Sequence, residues 1–268
     1  MEDFPMKMIF DEFQGKTALI TGAASGMGLL ASQKLAENGA NVVMIDVNPE
    51  AVAAAAQAIC DKGQTAVAEV VDIRFYKDVE ACCQRAKERF GSIDIVINMA
   101  GGASDRIHQS NGYFPEADPE ILNWGIDVNL KGPVHFARAV MANMIEQRSG
   151  VIINVGSTCG DTGSRSVDYS LAKSGVMNGL TKSLALYGAR YGVRCCCVAP
   201  GPVLTRAAMA RMVTPVGFAA EPWEVVDMIL YLCSDNARSI TGDTFHVDGG
   251  RYATGMDTPY FLKPGDQA

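Results

Sequence analysis

The feature that most restricts the fold of this chain is an alternation of short apolar runs with longer helical patterns between residues 17 and 247. The strand-like runs are 17–20, 42–45, 66–71, 93–97, 151–155, 193–198 and 244–247. Each run is apolar enough to be covered on both faces, as parallel strands between helices are. The alternation predicts an α/β fold, a doubly wound (Rossmann) domain with a seven-stranded parallel sheet and helices on both faces.

Helix boundaries between the predicted strands support this interpretation. Proline follows Asn48 and Asp118, as expected at a first helical position, and Gly63 ends the first of these helices. The second is long and reaches about Gln147. In such a fold, ligands bind at the C-terminal ends of the strands.

Length and composition favour one soluble domain. At 268 residues and 48% hydrophobic content, the chain has no apolar run near the ~18 residues of a membrane span. We predict a single domain over 1–268, with an N-terminal extension at 1–14 and a tail at 251–268 near the active site. The extension is acidic and lacks an export signal, which predicts a cytoplasmic protein.

The charge balance excludes some classes of partner. A net charge of −7 and a pI near 5.0 would repel a phosphate backbone, and no basic run offsets this charge. We therefore expect neither nucleic acid nor membrane as a partner, but a small-molecule substrate.

The cysteines do not follow the spacing of disulfide or zinc frameworks. There are eight, and three are consecutive at Cys195–Cys197. These three could form a redox or metal site, but flanking valines favour a buried strand of small hydrophobic residues. The three histidines are far apart in sequence, so no metal is predicted.

A glycine-rich loop joins the first predicted strand to a helix. Its expected ligand contacts are Gly22, Ser25, Gly26, Met27 and Gly28. Glycines allow a tight turn and close backbone approach to a pyrophosphate, which the helix N-terminus favours electrostatically. The alternative is a plain strand-to-helix turn; the position after a strand favours dinucleotide binding.

The second predicted strand ends in Asp46, eighteen residues past Gly28. A carboxylate there accepts hydrogen bonds from the adenosine ribose hydroxyls. Neither the glycine loop nor Val47–Asn48 supplies a cation for a 2′-phosphate, so we predict NAD rather than NADP.

Tyr169 and Lys173 are four residues apart and therefore share one face of a predicted helix. A free tyrosine has a pKa of ~10, and a nearby cation together with an oxidised nicotinamide favours tyrosinate. Such a phenol can exchange a proton with an alcohol near neutral pH. The spacing alone is weak evidence, because amphipathic helices produce it by chance.

Taken with the other motifs, the pair makes the chain resemble the short-chain dehydrogenase/reductase family, in its single-domain form, from Gly15 to Gly250. The glycine loop, Asp46, the 98–101 run and the Tyr–Lys pair all match in order. By resemblance, the remaining cofactor contacts are Asp72, Ile73, Asn98, Ala100, Gly101, Tyr169, Lys173, Pro200, Gly201, Val203 and Thr205.

The resemblance implies a separate role for each residue of the active site. Ser157 hydrogen-bonds the substrate oxygen, Tyr169 transfers its proton and the nicotinamide carries hydride. Lys173 holds the nicotinamide ribose and lowers the tyrosine pKa, while Asn129 anchors a water. Thr205 binds the carboxamide. The resemblance also implies a homotetramer, assembled through the long helices.

Two positions depart from the family pattern. Met99 stands where many relatives carry a second asparagine, and Tyr169 follows Ser157 at an interval of twelve positions, one shorter than usual. That interval would put Gly156 in the register of the serine. Because Ser157 begins a Ser-x-x-Gly run, we assign it and place the deletion at 164–168, with Thr158 as the next candidate.

Substrate recognition is expected from 102–118, 206–220 and the tail after Gly250. Met209 and Met212 are candidate contacts on an apolar lid, although they could equally pack the lid onto its own domain. Residues 103–117 could embrace a ring with a polar or acidic group. Aromatic residues of the tail resemble those of hydroxysteroid-type members, so we predict a cyclic or steroid-like secondary alcohol.

Two other functions are less consistent with the sequence. A catalytically silent NAD-sensing protein on the same scaffold would be expected to lose the serine, tyrosine or lysine, and all three are present. A nucleotide-sugar epimerase or dehydratase would carry a larger C-terminal domain, whereas little follows the last predicted strand. The sequence therefore favours an NAD-dependent oxidoreductase acting on a CH–OH group.

Overall fold

The computed structural model describes residues 13–110, 113–212 and 214–254. Its strands are β1 (Thr17–Thr21), β2 (Asn41–Asp46), β3 (Ala66–Val70), β4 (Ile95–Asn98), β5 (Gly150–Val155), β6 (Val193–Pro200) and β7 (Thr244–Val247). They form one sheet in the order β3-β2-β1-β4-β5-β6-β7, and every neighbouring pair is parallel. The prediction of a seven-stranded parallel sheet is confirmed.

Helices occupy the connections between the strands. They are α1 (Gly26–Glu37), α2 (Pro49–Cys60), α3 (Tyr76–Phe90), α4 (Ser104–Ile107), α5 (Pro119–Ile126), α6 (Gly132–Gln147), α7 (Cys159–Thr162), α8 (Val167–Ser174), α9 (Thr181–Gly188), α10 (Pro222–Cys233) and α11 (Arg251–Thr254). Short 3₁₀ turns are Phe114–Glu116, Ala189–Tyr191, Ala207–Arg211 and Asp235–Ala237. Asn48 and Asp118 cap α2 and α5 with their side chains, as their position before proline predicts.

The helices cover both faces of the sheet, as predicted. On one face α1, α2 and α10 pack their apolar residues against the strands, and on the other α3, α6 and α9 do so. Cys195, Cys196 and Cys197 lie buried in β6 within this core. Their interpretation as a buried strand of small hydrophobic residues is confirmed.

The edges of the sheet differ from the prediction that all strands are covered on both faces. Each of the four residues of β7 is only partly buried, and Val70 of β3 is 56% exposed. Both strands lie at an edge, where there is no strand on one side. The fourth strand also begins at Ile95, not at residue 93. Side chains of α6 bond the peptide groups of Ile93 instead, since Asn143 accepts from its N–H and Gln147 donates to its carbonyl.

The predicted long helix from Asp118 to Gln147 is interrupted once. A π-helical segment, Asp127–Lys131, joins α5 to α6, and a second one, Gly175–Leu180, joins α8 to α9. π segments often occur at functional sites, because the extra residue re-aims a side chain. The first segment contains Asn129.

The chain reverses its winding between β1 and β4, which opens a crevice at their C-terminal ends. Thr21, the last residue of β1, fixes this edge: its Oγ1 accepts hydrogen bonds from the N–H groups of Met99 and Ala100, both at 2.9 Å. The loops that follow β1 and β4 are therefore held side by side. This edge positions the candidate site.

Candidate active site

A cleft of about 550 Å³ lies at this edge of the sheet. Its lining includes many of the predicted cofactor contacts: Gly22, Ser25, Gly26, Met27, Gly28, Asp46, Asp72, Ile73, Ala100, Gly101 and Thr205. It also includes residues that are not among the predicted cofactor contacts: Ile45, Val47, Val71, Arg74, Met99, Ile107, Trp124 and Val128. Most of these are apolar. A position at or just after a strand end could have indicated five of them, whereas Ile107, Trp124 and Val128 lie in helical segments, where no sequence signal marks them.

The glycine loop is shaped by close backbone packing. A Cβ on Gly28 would overlap the carbonyl oxygen of Gly22, and a Cβ on Gly22 would come within 3.0 Å of the Ala100 backbone. Gly22 and Gly26 also have positive φ angles of 68° and 55°. These positions need glycine, so the turn can present its backbone to a phosphate at the start of α1.

Asp46 lies at the end of β2, where the prediction places it. Its Oδ2 accepts from the N–H of Ala24 at 3.1 Å, and its Oδ1 accepts from the N–H of Asn48 at 3.1 Å. The two backbone donors orient the carboxylate next to the glycine loop. The carboxylate is partly exposed to the cleft, so it can accept further hydrogen bonds.

Asp72 and Arg74 form an ion pair on the wall of the same cleft. Arg74 bonds both carboxylate oxygens of Asp72, with distances of 2.5 to 3.0 Å, and this pairing lowers the pKa of Asp72 and raises that of Arg74. Arg74 is the cation that inspection of the glycine loop and Val47–Asn48 did not find. Its guanidinium is engaged by Asp72.

Ser157 and Tyr169 approach each other beyond the end of β5. Ser157 is close enough to the phenol to lower the pKa of Tyr169, and Ser157 Oγ accepts a hydrogen bond from the N–H of Cys159 at 3.2 Å. Gly156 faces the other way, since a Cβ there would clash with Met177 and Cys197. The geometry therefore favours Ser157 over Gly156 as the position that partners Tyr169.

The pKa of Tyr169 is raised in the structure, whereas the prediction was that Lys173 lowers it. Burial raises the pKa of the phenol and outweighs the Ser157 hydroxyl and the charges of Arg106 and Arg206, which lower it. Lys173 Nζ lies 5.6 Å from the centre of the tyrosine ring. In the protein alone, desolvation dominates the local field.

Lys173 is buried on the same helical face as Tyr169. Its Nζ donates to the carbonyl oxygen of Val155 at 2.7 Å, which ties α8 to the end of β5. Burial lowers the pKa of its ammonium to about 8. The lysine is therefore easier to deprotonate than an exposed one.

Asn129 is fully buried in its π segment and holds the loop after β4. Its Nδ2 donates to the carbonyls of Gly125 at 2.8 Å and Gly102 at 3.0 Å, while its Oδ1 accepts from the N–H of Gly102 at 3.0 Å. The side chain thus clamps backbone next to Lys173. Its water-anchoring role stays a prediction.

Four other predicted cofactor residues are outside the lining of the cleft. Asn98 is buried and donates to Asn154 of β5 at 2.9 Å, so its side chain links two strands. Pro200 and Gly201 bond adjacent segments through their backbones, with Thr158 and Val247 as partners. Val203 accepts from Thr205 at 2.7 Å and shapes the turn that brings Thr205 to the cleft.

The predicted substrate segments surround this region to different degrees. Met209 and Met212 are half-buried on the lid around the turn Ala207–Arg211 and do not line the cleft. Of the tail, Tyr252 stacks on His246 at 4.0 Å, and residues 255–268 lie outside the described part of the chain. His246 in turn bonds Asp161 of α7 at 2.8 Å. In the described part of the chain, no helix combines the length and apolarity that a bilayer crossing requires.

Comparison with known proteins agrees with this architecture. The family model for short chain dehydrogenase matches residues 16–214. Oxidoreductase UcpA of Escherichia coli K12 is 34% identical over 256 residues, covering 88% of this chain and 94% of that protein. Cis-4-hydroxycyclohexanecarboxylate dehydrogenase of Sinomonas cyclohexanicum is 36% identical over 253 residues, covering 90% and 98%.

Comparison with a solved structure supports the same family. A 3-oxoacyl-[acyl-carrier protein] reductase with bound NAD from Brucella melitensis superposes with a TM-score of 0.83 at 32% identity, covering 94% of this chain and 98% of that one. The family match extends over most of the chain, and such relatives are oxidoreductases of CH–OH and keto groups. The chain therefore belongs to the short-chain dehydrogenase family and is an oxidoreductase.

Proposed function

We propose that the chain transfers a hydride between NAD(H) and a secondary alcohol or its ketone. The observation that carries this proposal is the grouping of Ser157, Tyr169 and buried Lys173 beside the cleft lined by the glycine loop: Lys173 Nζ lies 5.6 Å from the centre of the Tyr169 ring, and Ser157 interacts with the phenol. A proton-transferring phenol is needed only where bond-making chemistry occurs, so the grouping argues against a silent NAD sensor.

The residues around the cleft fit a dinucleotide. The absence of a Cβ at Gly22 and Gly28 leaves a backbone cradle at the start of α1, and the Asp46 carboxylate next to it can accept hydrogen bonds from two ribose hydroxyl groups. When bound, the nicotinamide supplies the hydride acceptor or donor. Ser157 orients the substrate oxygen, Tyr169 takes or gives its proton, and Lys173 binds the ribose side.

The preference for NAD rests on charge. A 2′-phosphate beside Asp46 would meet a carboxylate held in place by two N–H groups. Arg74, the cation that lines the same cleft, is neutralised by Asp72. The carboxylate of Asp46 is therefore the main charge near the expected position of the adenosine ribose.

For the substrate we propose a cyclic secondary alcohol, steroid-like at its largest. The relative from Sinomonas cyclohexanicum is named for a hydroxylated cyclohexane ring. The apolar lining residues Ile107, Trp124 and Met99 offer flat or adaptable surface at the cleft.

A cytoplasmic homotetramer is the assembly we propose. Helices α6 and α9 share a shallow apolar depression lined by Val134, Met141, Ile145, Leu184 and Tyr187. Tyr187 is 64% exposed, and the adjacent Leu186 is 83% exposed. Exposed apolar groups on these two helices suit association with a second copy.

The proposal is tested by following the absorbance of reduced cofactor while the protein is mixed with NAD and a panel of cyclic and open-chain alcohols. We expect cofactor reduction, with the highest kcat/KM for cyclic alcohols. Turnover confined to short sugars or polyols would contradict the substrate class. No reduction with any alcohol, together with tight NAD binding, would favour the silent sensor.

A further inference from the structure

Arg106 is an exposed residue next to Ile107, which lines the cleft. It belongs to α4, and its Nη2 is 2.6 Å from the point that a Cβ of Gly102 would occupy. Gly102 is the residue clamped by Asn129, and the corresponding point on Gly101 is 3.5 Å from Lys173 Nζ. The guanidinium therefore rests on the strip of backbone that adjoins the lysine.

Arg206 adjoins the same cleft on another segment. It follows Thr205, which lines the cleft, and begins the lid turn, where its Nη2 donates to Met209 Sδ at 3.6 Å. The two arginines act on the same phenol, since each lowers the pKa of Tyr169 against the effect of burial. They also act on each other: burial, and then the charge of Arg106, lowers the pKa of Arg206.

Neither arginine is paired with an acidic residue in the part of the chain that the structure describes: no Asp or Glu oxygen there lies within 4.0 Å of either guanidinium. The chain carries a net charge of −7, so acidic residues are abundant elsewhere. Two unneutralised cations beside one phenol repel each other, and an anion between them would relieve that repulsion.

We infer that Arg106 and Arg206 form a carboxylate-binding pair and that the substrate is a secondary alcohol bearing a carboxylate. This inference rests on the proposed function, because it places the hydroxyl of the same molecule at Ser157 and Tyr169. Guanidinium groups suit carboxylate binding because they stay charged and their N–H groups form charge-assisted hydrogen bonds with both oxygens. The distance between the hydroxyl and the carboxylate then becomes part of the specificity.

The test compares a 4-hydroxycyclohexanecarboxylate with its methyl ester, which differ in charge but keep the same ring and hydroxyl. We expect the wild-type protein to oxidise the acid with the higher kcat/KM. Arg106→Gln and Arg206→Gln should each lower kcat/KM for the acid about ten- to hundredfold, as expected for a lost hydrogen bond to a charged group. The value for the ester should change less than about threefold, since exposed charges act weakly at a distance.

Two further variants sharpen the comparison. Arg206→Lys keeps the charge and should retain part of the preference for the acid, while Arg89→Gln removes an exposed arginine of α3 that does not line the cleft and should leave both substrates unaffected. The KM for NAD should not change in any variant. A rise in that KM instead would assign the arginines to the cofactor and overturn the inference.

The outcomes separate this inference from the proposed function. Equal losses for acid and ester, or a wild-type preference for the ester, would overturn the carboxylate pair and leave the dehydrogenase proposal standing. A second readout avoids turnover: cyclohexanecarboxylate should bind the wild-type protein saturated with NAD more tightly than cyclohexanecarboxamide, and the double glutamine variant should lose the difference. Cofactor reduction by neither acid, ester nor any other alcohol would overturn both proposals.

Discussion

The two halves of the site are built differently. The cofactor half is made of strand ends and is fixed by the backbone: Thr21 bonds the loop after β4, and Asp46 is held by two N–H groups. The substrate half is made of segments beyond the sheet, where Arg106 and Arg206 project from exposed turns. Recognition of the cofactor is thus encoded in backbone geometry, while recognition of the substrate depends on individual side chains of loops, which can change without disturbing the sheet.

The largest effect is expected where the halves meet. Tyr169→Phe removes the phenol oxygen and keeps the ring, so kcat should fall by about 10³-fold, within the range for losing a general acid or base. Because phenylalanine keeps the ring and the cleft offers the cofactor many other contacts, NAD affinity should change little. Steady-state kinetics and NAD titration check both statements, and undiminished turnover would refute the role of the tyrosine.

Ser157→Ala should have the next largest effect, a loss of roughly 10²-fold in kcat, because the substrate oxygen and the tyrosine both lose a hydrogen-bond partner. Thr158→Ala is the matched control, since Thr158 is the adjacent hydroxyl residue and the other candidate for this role. We expect the control to retain most of its activity. The reverse order of the two variants would move the serine role to Thr158.

Substitution of Asp46 should have a smaller effect than the two preceding variants, and this effect should be limited to the cofactor half of the site. Asp46→Arg replaces the carboxylate with a cation, and the ratio of kcat/KM for NADP to that for NAD should rise by about tenfold or more. The ratio of kcat/KM for the acid to that for the ester should not move, because Asp46 lies at the adenosine end. A wild-type preference for NADP would contradict the interpretation of Asp46.

The difference between the halves also explains what could be predicted from sequence. The parallel sheet, the glycine loop and Asp46 follow from local rules: apolar runs, a glycine that a Cβ would obstruct, and a carboxylate at a strand end. Arg74 was missed because its approach to the cleft depends on the fold of the segment after β3. The raised pKa of Tyr169 was missed because spacing along a helix indicates neighbours but not burial.

The smallest expected effect is on stability: substitution of Lys173 tests how much the burial of its charge lowers the free energy of unfolding. Its pKa is lowered to about 8 by burial, against an ordinary value of 10.5, so between these values the folded protein binds fewer protons than the unfolded chain. Stability therefore rises with pH across this window, and below it the buried charge opposes folding by roughly 3 kcal/mol at most.

Lys173→Met removes the charge and keeps an unbranched apolar chain. The lost hydrogen bond to Val155 costs about 1 kcal/mol, so the variant should be more stable than the wild type by roughly 2 kcal/mol at pH 7. This advantage should shrink as the pH rises from 8 towards 10.5, because the wild-type lysine is then neutral in the folded state. Urea unfolding of both proteins at about pH 7 and about pH 9.5 measures the difference, and an advantage independent of pH would mean that the ammonium is not destabilised by burial. A variant that gains stability as it loses turnover would show that the charge is kept for chemistry at a cost to the fold.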